Sequence, residues 1–460
     1  MPYILKRYYP ARNIFFFLGE GLLIFLAVSM VYYIFKRPVL LSGEMAFFGL
    51  RALLVTVTFQ LCLYFFDLYD LSVNIPASET VARTAQAFGI GCIVLAIIYY
   101  LFPTIMISGK IFWTGYVAIC VSVFIWRFFY HHALERRLFT QPVLIVGTGP
   151  LAADITEQIE NKRDSGYKIA AYIGEETPVV NATGVPFFQD VQKMEEICRQ
   201  QKVERIIVAL DDRRGKTPIE ELLTCKLKGV QIDKGISFYE EVTGKILVSK
   251  VNPAWIIFSS GFKVSRLSYF TKRVADIFLS LFGLLVSLPI TVLSAIIIKL
   301  ESPGGIFYTQ ERVGENGRIF RVIKFRSMRS DAEKDGPVWA MDNDTRVTRF
   351  GGFIRKVRID EIPQMWNVLK GEMSFVGPRP ERPIFVEQLV KSIPYYALRH
   401  AVKPGITGWA QICYPYGASE EDALRKLEYD LYYIKNMTLL MDLWVIFQTI
   451  KTVLFQKGAR

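Results

Sequence analysis

Four long apolar runs, at about 14–35, 46–66, 84–108 and 111–130, restrict this chain more than any other feature. Each approaches or exceeds the roughly 20 residues a helix needs to cross the hydrocarbon of a bilayer. Inside a membrane every backbone N–H and C=O must find a partner within the chain, so the runs are read as helices. The first is too long for the apolar part of a signal peptide and has no clear small-residue cleavage site, so it is read as a retained anchor. Four crossings bring the chain back to the side on which it began. Lys6, Arg7, Arg12, Arg83, Arg127, Arg136 and Arg137 fall near one side, against Lys36, Arg37, Arg51 and Lys110 near the other, which favours a cytoplasmic N-terminus. Glu20 and Arg51 lie within the runs near span ends, where a structural pair or snorkelling suits a charge better than a functional role does. The expected fold class is membrane α/β. A four-helix transmembrane bundle over 1–138 precedes a Rossmann-like α/β domain over 139–250, a linker over 251–265 and a C-terminal α/β catalytic domain over 266–460.

The stretch richest in chemistry is Lys356-Val-Arg-Ile-Asp-Glu-Ile-Pro-Gln, followed by Gly377-Pro-Arg-Pro-Glu-Arg382. Asp360 and Glu361 stand just ahead of Pro363, a residue tolerated only in a helix's first turn, so the pair is expected to open a short helix with Asp as its cap. Arg355, Lys356, Arg358, Arg379 and Arg382 surround it with cations that match phosphate oxygens. In such a setting an ionised Asp can attack phosphorus and its neighbour can help hold a divalent cation. A bare cap with a solvated Glu is the alternative, and the density of cations argues against it. Further upstream, Phe320-Arg-Val-Ile-Lys-Phe-Arg reads as an alternating strand behind a hairpin, with Arg321 and Lys324 able to face phosphates.

Between the two regions, Pro142-Val-Leu-Ile-Val-Gly-Thr-Gly-Pro-Leu-Ala reads as a strand, a glycine turn at Gly147 and Gly149, and a helix to about Lys162. Further strands are expected at 168–173, 204–209 and 229–233. Ala152 stands where a dinucleotide fingerprint has its third glycine, so a nucleotide-binding domain and a ligand-free assembly domain both stay open, with Glu175 near the place of a ribose-binding acid. After the linker, Ile277 to Ile298 is a run of 22 uncharged residues interrupted by Pro289. The 31 residues from Lys299 to Arg329 carry seven Lys or Arg, and Lys272 and Arg273 precede the run, so both flanks look cytoplasmic. A helix over about 272–299 that bends at Pro289 and leaves by the face it entered reconciles length with charge. The final apolar helix, about 437–456, suits either a membrane surface or a core.

Four motifs in order, Arg326-Ser-Met, Arg358-Ile-Asp-Glu-Ile-Pro-Gln, Met373-Ser-Phe-Val-Gly-Pro-Arg-Pro and Lys403-Pro-Gly-Ile-Thr-Gly-Trp-Ala-Gln, closely resemble the bacterial sugar transferase family over about 266–460. The whole chain resembles its long members. The resemblance implies transfer of a hexose 1-phosphate from a nucleotide diphosphate sugar to polyprenyl phosphate, opening the synthesis of an exopolysaccharide or related glycan. It also implies Asp360 as nucleophile in an aspartyl phosphosugar intermediate, with Glu361 assisting through protons or metal. Lys324, Arg326, Arg355, Arg358, Arg379 and Arg382 would bind phosphates, and Mg2+ would be held by Asp360 and Glu361. Relatives bend their re-entrant helix at a Ser-Pro pair; here it reads Ser287-Leu-Pro289. Gln411, Cys413, Tyr414 and Tyr416 replace a Gly-Arg-type turn, which leaves the sugar open. The expected setting is the bacterial inner (cytoplasmic) membrane, with the catalytic domain on the cytoplasmic face and a homodimer compatible with a long member.

The balance of the chain agrees. A hydrophobic fraction of 52% and a net charge of +12 suit anionic head groups and phosphorylated substrates, and with such apolar runs nucleic acid is not expected as a partner. The six cysteines have no CxxC spacing, and three histidines give little material for a His-based metal site. Two other classes stay in view: an NAD-dependent nucleotide-sugar dehydratase or epimerase, and a non-catalytic assembly scaffold. The first needs a Tyr-x-x-x-Lys pair, found only at Tyr32 and Lys36 inside the first apolar run. The second has no use for the carboxylates and arginines.

Overall fold

Apolar side chains shape both compact units of the protein, one running from the N-terminal helices to Phe238 and the other from Tyr239 to the C-terminus. The computed structural model describes residues 3–4, 7–8, 11–36, 43–69, 76–135, 140–162, 165–177, 184–210, 217–251, 253–259, 261–262, 265–329, 346–415, 417 and 419–454. Lys6, Arg37, Arg136, Arg137 and Tyr416, weighed above, lie outside them.

In the first unit, α1 (Ala11–Lys36), α2 (Gly43–Phe65), α3 (Ala77–Leu101) and α4 (Gly109–Glu135) share one apolar core, with Ile24, Phe48, Phe59, Phe88, Leu95 and Ile119 wholly or almost wholly buried. All four are long and apolar enough to cross a membrane. The third starts earlier and ends earlier than the apolar run, because Pro103 has no N–H to continue the ladder and a 3-10 turn over Pro103–Ile105 takes its place. Glu20, fully buried, takes a two-pronged ion pair from Arg127, at 2.7 Å and 2.9 Å, which ties α1 to α4. Arg51 instead donates to the Thr104 carbonyl at 2.6 Å.

The same unit carries a parallel sheet. Its strands are β1 (Gln141–Val146), β2 (Tyr167–Ile173), β3 (Phe187–Phe188), β4 (Arg205–Val208) and β5 (Gln231–Lys234), in the spatial order β3-β2-β1-β4-β5. That order is the Rossmann arrangement. The helices α5 (Pro150–Asn161), α6 (Met194–Gln200) and α7 (Ile219–Leu227) intervene. Gly147 has φ +115°, and a Cβ there would stand 2.5 Å from the Ala209 carbonyl oxygen, so only glycine lets β1 turn this close to the end of β4. Gly149 has an ordinary extended backbone and simply precedes α5.

The boundary of the second unit falls earlier than the sequence suggests. Residues after Tyr239 join the catalytic part because Trp409 donates to the Gly244 carbonyl at 2.8 Å and the Ile246 N–H bonds the Glu428 carbonyl at 3.0 Å. In this unit α8 (Arg266–Glu301) is a 36-residue helix that continues through Pro289. Ser287 bonds the Leu284 carbonyl at 3.4 Å rather than that of Leu285, the one proline leaves unbonded. The hairpin of β6 (Phe307–Val313) and β7 (Ile319–Phe325) turns through Asn316 and Gly317, both at positive φ. Then come α9 (Arg349–Lys356), α10 (Gln364–Lys370), β8 (Ser374–Val376), α11 (Pro383–Ser392), β9 (Gly405–Thr407), α12 (Trp409–Cys413), α13 (Glu420–Asn436) and α14 (Leu439–Leu454), with β8 parallel to β9. All six cysteines are free.

Replacing Gly147 by Ala forces a left-handed Cβ onto a carbonyl and should lower stability by about 2–4 kcal/mol. A thermal melt of the full chain in detergent, showing no loss relative to the parent, would contradict this reading of the turn.

Candidate active site

Asp360 and Glu361 occupy a 3-10 turn over Ile359–Glu361, wedged between α9 and α10. The turn starts at Arg358, whose φ of 60° and ψ of 18° put a non-glycine residue in the left-handed region. Such backbone is costly and persists only where its surroundings impose it. The expected Asp N-cap is therefore corrected: Pro363 holds the cap position of α10, and both carboxylates precede that helix. Their burial, 8% and 7% exposed, follows from the packing of Ile354, Ile359 and Ile362 with Phe325 and Ile298.

Glu361 is the anchored member. Its Oε1 accepts from Arg379 at 2.8 Å and Lys324 at 3.1 Å, and Arg358 stands 3.7 Å away. Burial raises its pKa, but Arg379, Lys324 and Arg358 outweigh that and hold it well below the usual range. Asp360 lacks such partners: its Oδ1 is buried and accepts no hydrogen bond among the described residues. Burial first, and then the charge of Glu361, push the Asp360 carboxyl up to about 6, against the pull of Lys324, Arg358 and Arg379. Burial likewise lowers Lys324 despite the carboxylate beside it. One carboxylate is thus locked as an anion while its neighbour keeps an unbonded oxygen.

The cations named from sequence separate on inspection. Lys324, Arg358 and Arg379 meet at Glu361. Arg326 faces elsewhere: its guanidinium donates to the Pro303, Ser302 and Ile298 carbonyls, which closes the C-terminal end of α8. Arg355, in the last turn of α9, has no hydrogen bond or ion pair to the dyad among the described residues. Arg382 caps α11, close enough to depress the already burial-lowered pKa of Arg312.

Supporting residues escape a sequence reading. Asn367, fully buried, accepts from the Ile323 N–H at 3.0 Å and donates to the Arg321 carbonyl at 2.8 Å, which fixes β7 and Lys324 against α10. Arg312 donates to the Pro380 carbonyl at 3.1 Å, and Arg399, paired with Asp430 at 2.8 Å, donates to the Arg379 carbonyl at 3.0 Å. Only the position of Asn367, one and a half to two turns after the dyad, hints at its role.

For a divalent cation the donors are sparse but suitable. No group of three or more His, Cys, Asp or Glu converges among the described residues. Magnesium, however, takes one or two carboxylates and completes its shell with water and substrate phosphates. The unbonded Asp360 Oδ1 fits that use better than Glu361 Oε1, which already carries cations.

Residues 267–456 match the family model described as bacterial sugar transferase, and residues 64–225 match one described as CoA-binding domain. An Aeromonas hydrophila UDP-N-acetylgalactosamine-undecaprenyl-phosphate N-acetylgalactosaminephosphotransferase is 42% identical over 239 residues, 52% of this chain and 56% of that protein. A Komagataeibacter xylinus undecaprenyl-phosphate glucose phosphotransferase is 29% identical over 440 residues, covering 93% of this chain and 80% of its own length. A Xanthomonas campestris pv. campestris UDP-glucose:undecaprenyl-phosphate glucose-1-phosphate transferase is 32% identical over 373 residues, 76% of this chain and 74% of that protein. The apolar helices and the matched domain define a membrane protein with a transferase unit. The chain belongs to the bacterial sugar transferase family and is an enzyme of that class, which removes the dehydratase and scaffold readings.

The burial of Asp360 carries a thermodynamic consequence. Its folded pKa is above the unfolded one, so protonated Asp360 favours folding, and that contribution is lost as pH rises through about 6. Asp360→Asn should therefore melt higher than the parent above pH 6, by about 1–3 kcal/mol, with the difference vanishing below about pH 4. Equal stability at pH 7.5 would show that the carboxylate is not desolvated.

Proposed function

We propose that this enzyme transfers a hexose 1-phosphate from a nucleotide diphosphate sugar to polyprenyl phosphate, the opening membrane step of an exopolysaccharide or related glycan. The observation that carries the reading is the asymmetric dyad: a buried Asp360 oxygen with no partner among the described residues, beside Glu361 that Arg379 and Lys324 hold as an anion. Above pH 6 Asp360 is ionised, and one of its carboxylate oxygens attacks the phosphorus that bears the sugar, leaving the other for a cation. The bond from that phosphorus to the nucleoside monophosphate breaks, and the electron pair leaves with the monophosphate. An oxygen of polyprenyl phosphate then attacks the aspartyl phosphosugar, and Asp360 departs as carboxylate. Each step exchanges one phosphate anhydride or acyl phosphate for another, so alignment and charge neutralisation supply the catalysis. Lys324, Arg358 and Arg379 neutralise the phosphates. Magnesium, when bound by Asp360 and Glu361 together with substrate oxygens, would supply further neutralisation.

Access to a lipid substrate depends on α8, and its contacts support a re-entrant helix in the inner membrane. Near its start, Asp276 bonds Ser374 and Phe375; near its end, Ile298 packs with Phe325 and Ile354, and Glu301 bonds the Phe350 N–H. A straight run of those 22 residues would measure about 33 Å, close to the hydrocarbon thickness. A spanning helix would then need one catalytic unit on both faces of the bilayer. Between these contacts Phe278, Phe282, Leu285, Val286, Leu288 and Leu293 are exposed, an apolar surface suited to lipid.

Asp360→Asn should abolish release of nucleoside monophosphate from a panel of nucleotide sugars in the presence of polyprenyl phosphate, with the protein still folded. Substantial turnover would overturn the covalent mechanism. Arg379→Ala should cost 10- to 1000-fold in kcat/KM, and Arg379→Lys should recover only part because it lacks the planar fork. Single cysteines replacing the exposed Arg266 and Arg318, in a background without native thiols, should both react with an impermeant reagent from the cytoplasm. Reaction of position 318 from the outer face alone would rule out the re-entrant helix.

A further inference from the structure

The Arg379 segment leaves β8, and among the described residues β8 is a short strand with only one hydrogen-bonded neighbour strand, β9. Its other edge should carry unpaired backbone groups. The membrane helix takes them up. Asp276 Oδ1 accepts from the Phe375 N–H at 2.9 Å and from Ser374 Oγ at 3.1 Å, and Lys272, one turn earlier on the same helix, donates to the Val376 carbonyl at 3.0 Å. Lys272 is held in turn by Asp442 at 2.6 Å and Tyr433 at 3.1 Å. The Tyr433 hydroxyl contacts Asp442 at 2.6 Å and the Val376 carbonyl at 3.1 Å. Lys272 and Asp442 side chains are 12% and 7% exposed and Tyr433 is 1% exposed, so this polar knot is largely shielded from water.

Val376 is three residues before Arg379. Downstream, the Arg379 and Pro380 carbonyls are held by Arg399 and Arg312. Three cations, Arg399 buried and the other two half-buried, each with its own carboxylate, therefore grip the backbone that aims Arg379 at Glu361: Lys272 with Asp442, Arg399 with Asp430, and Arg312 with Glu381. Of the three, only Lys272 belongs to the helix that enters the membrane. None of these groups is placed to touch substrate phosphates in the reaction above.

We propose that Lys272, Tyr433 and Asp442 are positioning residues that transmit the seating of α8 to Arg379, so that Arg379 meets Glu361 only when this helix is docked on β8. The proposal rests on the transferase reading for its kinetic consequence, but not for the position of the Arg379 turn. If the Val376 carbonyl is released, the turn that carries Arg379 loses its upstream anchor and Arg379 drifts from Glu361. Turnover then falls through Arg379. A merely structural role would lower the amount of folded enzyme and leave kcat per folded molecule where it is.

The test uses the full chain in nanodiscs, with Tyr433→Phe, Lys272→Met and Lys272→Arg, each alone and combined with Arg379→Ala. For each we would measure kcat and KM for the nucleotide sugar per folded enzyme, together with amide hydrogen exchange over residues 376–382. Tyr433→Phe and Lys272→Met should lower kcat about tenfold with KM within about twofold and should speed exchange in that segment. Lys272→Arg, which keeps a donor and a charge, should recover most of kcat. In the Arg379→Ala background Tyr433→Phe should cost less than about twofold, because the group it positions is gone. Should Lys272→Met fail to fold, Tyr433→Phe decides, since it removes one hydroxyl and leaves the ion pair. Folded variants with parental exchange over 376–382, or whose losses multiply fully with that of Arg379→Ala, overturn the proposal. Absence of turnover in the parent would instead count against the transferase reading, while the hydrogen exchange would still decide the positioning role.

Discussion

Two adjacent carboxylates buried together repel each other and resist ionisation, and the attachment of Glu361 to Arg379 and Lys324 is what makes the pair tenable. The two cations come from separate elements: Lys324 from β7, registered by Asn367, and Arg379 from the turn after β8, gripped by Arg399 and Lys272. The ion cluster thus draws the hairpin, the strand pair, α10 and α8 towards one point. Its asymmetry matters as much as its strength. By compensating Glu361 fully and Asp360 only in part, the arrangement leaves one Asp360 oxygen without a hydrogen bond among the described residues.

Much of this site is legible in the amino-acid order because its pieces are short-range. Asp360, Glu361 and Pro363 lie within four residues, and Arg358 stands close by, so one turn brings them together. The alternation of Phe320 to Arg326 places Lys324 on a strand, where it is found. Arg326 shows where such reading stops. As a basic residue beside a catalytic motif it looks like a phosphate ligand, yet its position is decided by the Ile298, Ser302 and Pro303 carbonyls more than twenty residues away, which end a helix and need donors. Arg312 and Arg399 are the converse case. Nothing near them in sequence suggests that their partners are backbone carbonyls of the Arg379 turn.

The fold follows the same division. Apolar runs mark α1 to α4 closely, except where Pro103 ends a helix inside an unbroken apolar stretch. The parallel strands β1, β2, β4 and β5 fall within a few residues of their expected places, while the two-residue β3 has too little sequence to announce itself. The division at Phe238 is set by Trp409 and Glu428 reaching back to Gly244 and Ile246, contacts that no local composition change records.

The Glu20–Arg127 pair has a consequence for how the protein comes to be made. Each partner alone is a charge near the end of an apolar helix, where it costs less than the about 2.5–3.5 kcal/mol of the helix centre but still favours a partner. They lie 107 residues apart, so α1 is synthesised long before its counter-charge exists. During that interval the first helix has an unpaired carboxylate and little to hold it in its final depth or rotation. Arrival of α4 neutralises it and, through the Leu68 carbonyl that Arg127 also bonds at 3.0 Å, ties in the end of α2 as well. The pair therefore acts as a late clasp between α1 and α4, closing only once the fourth helix has been made.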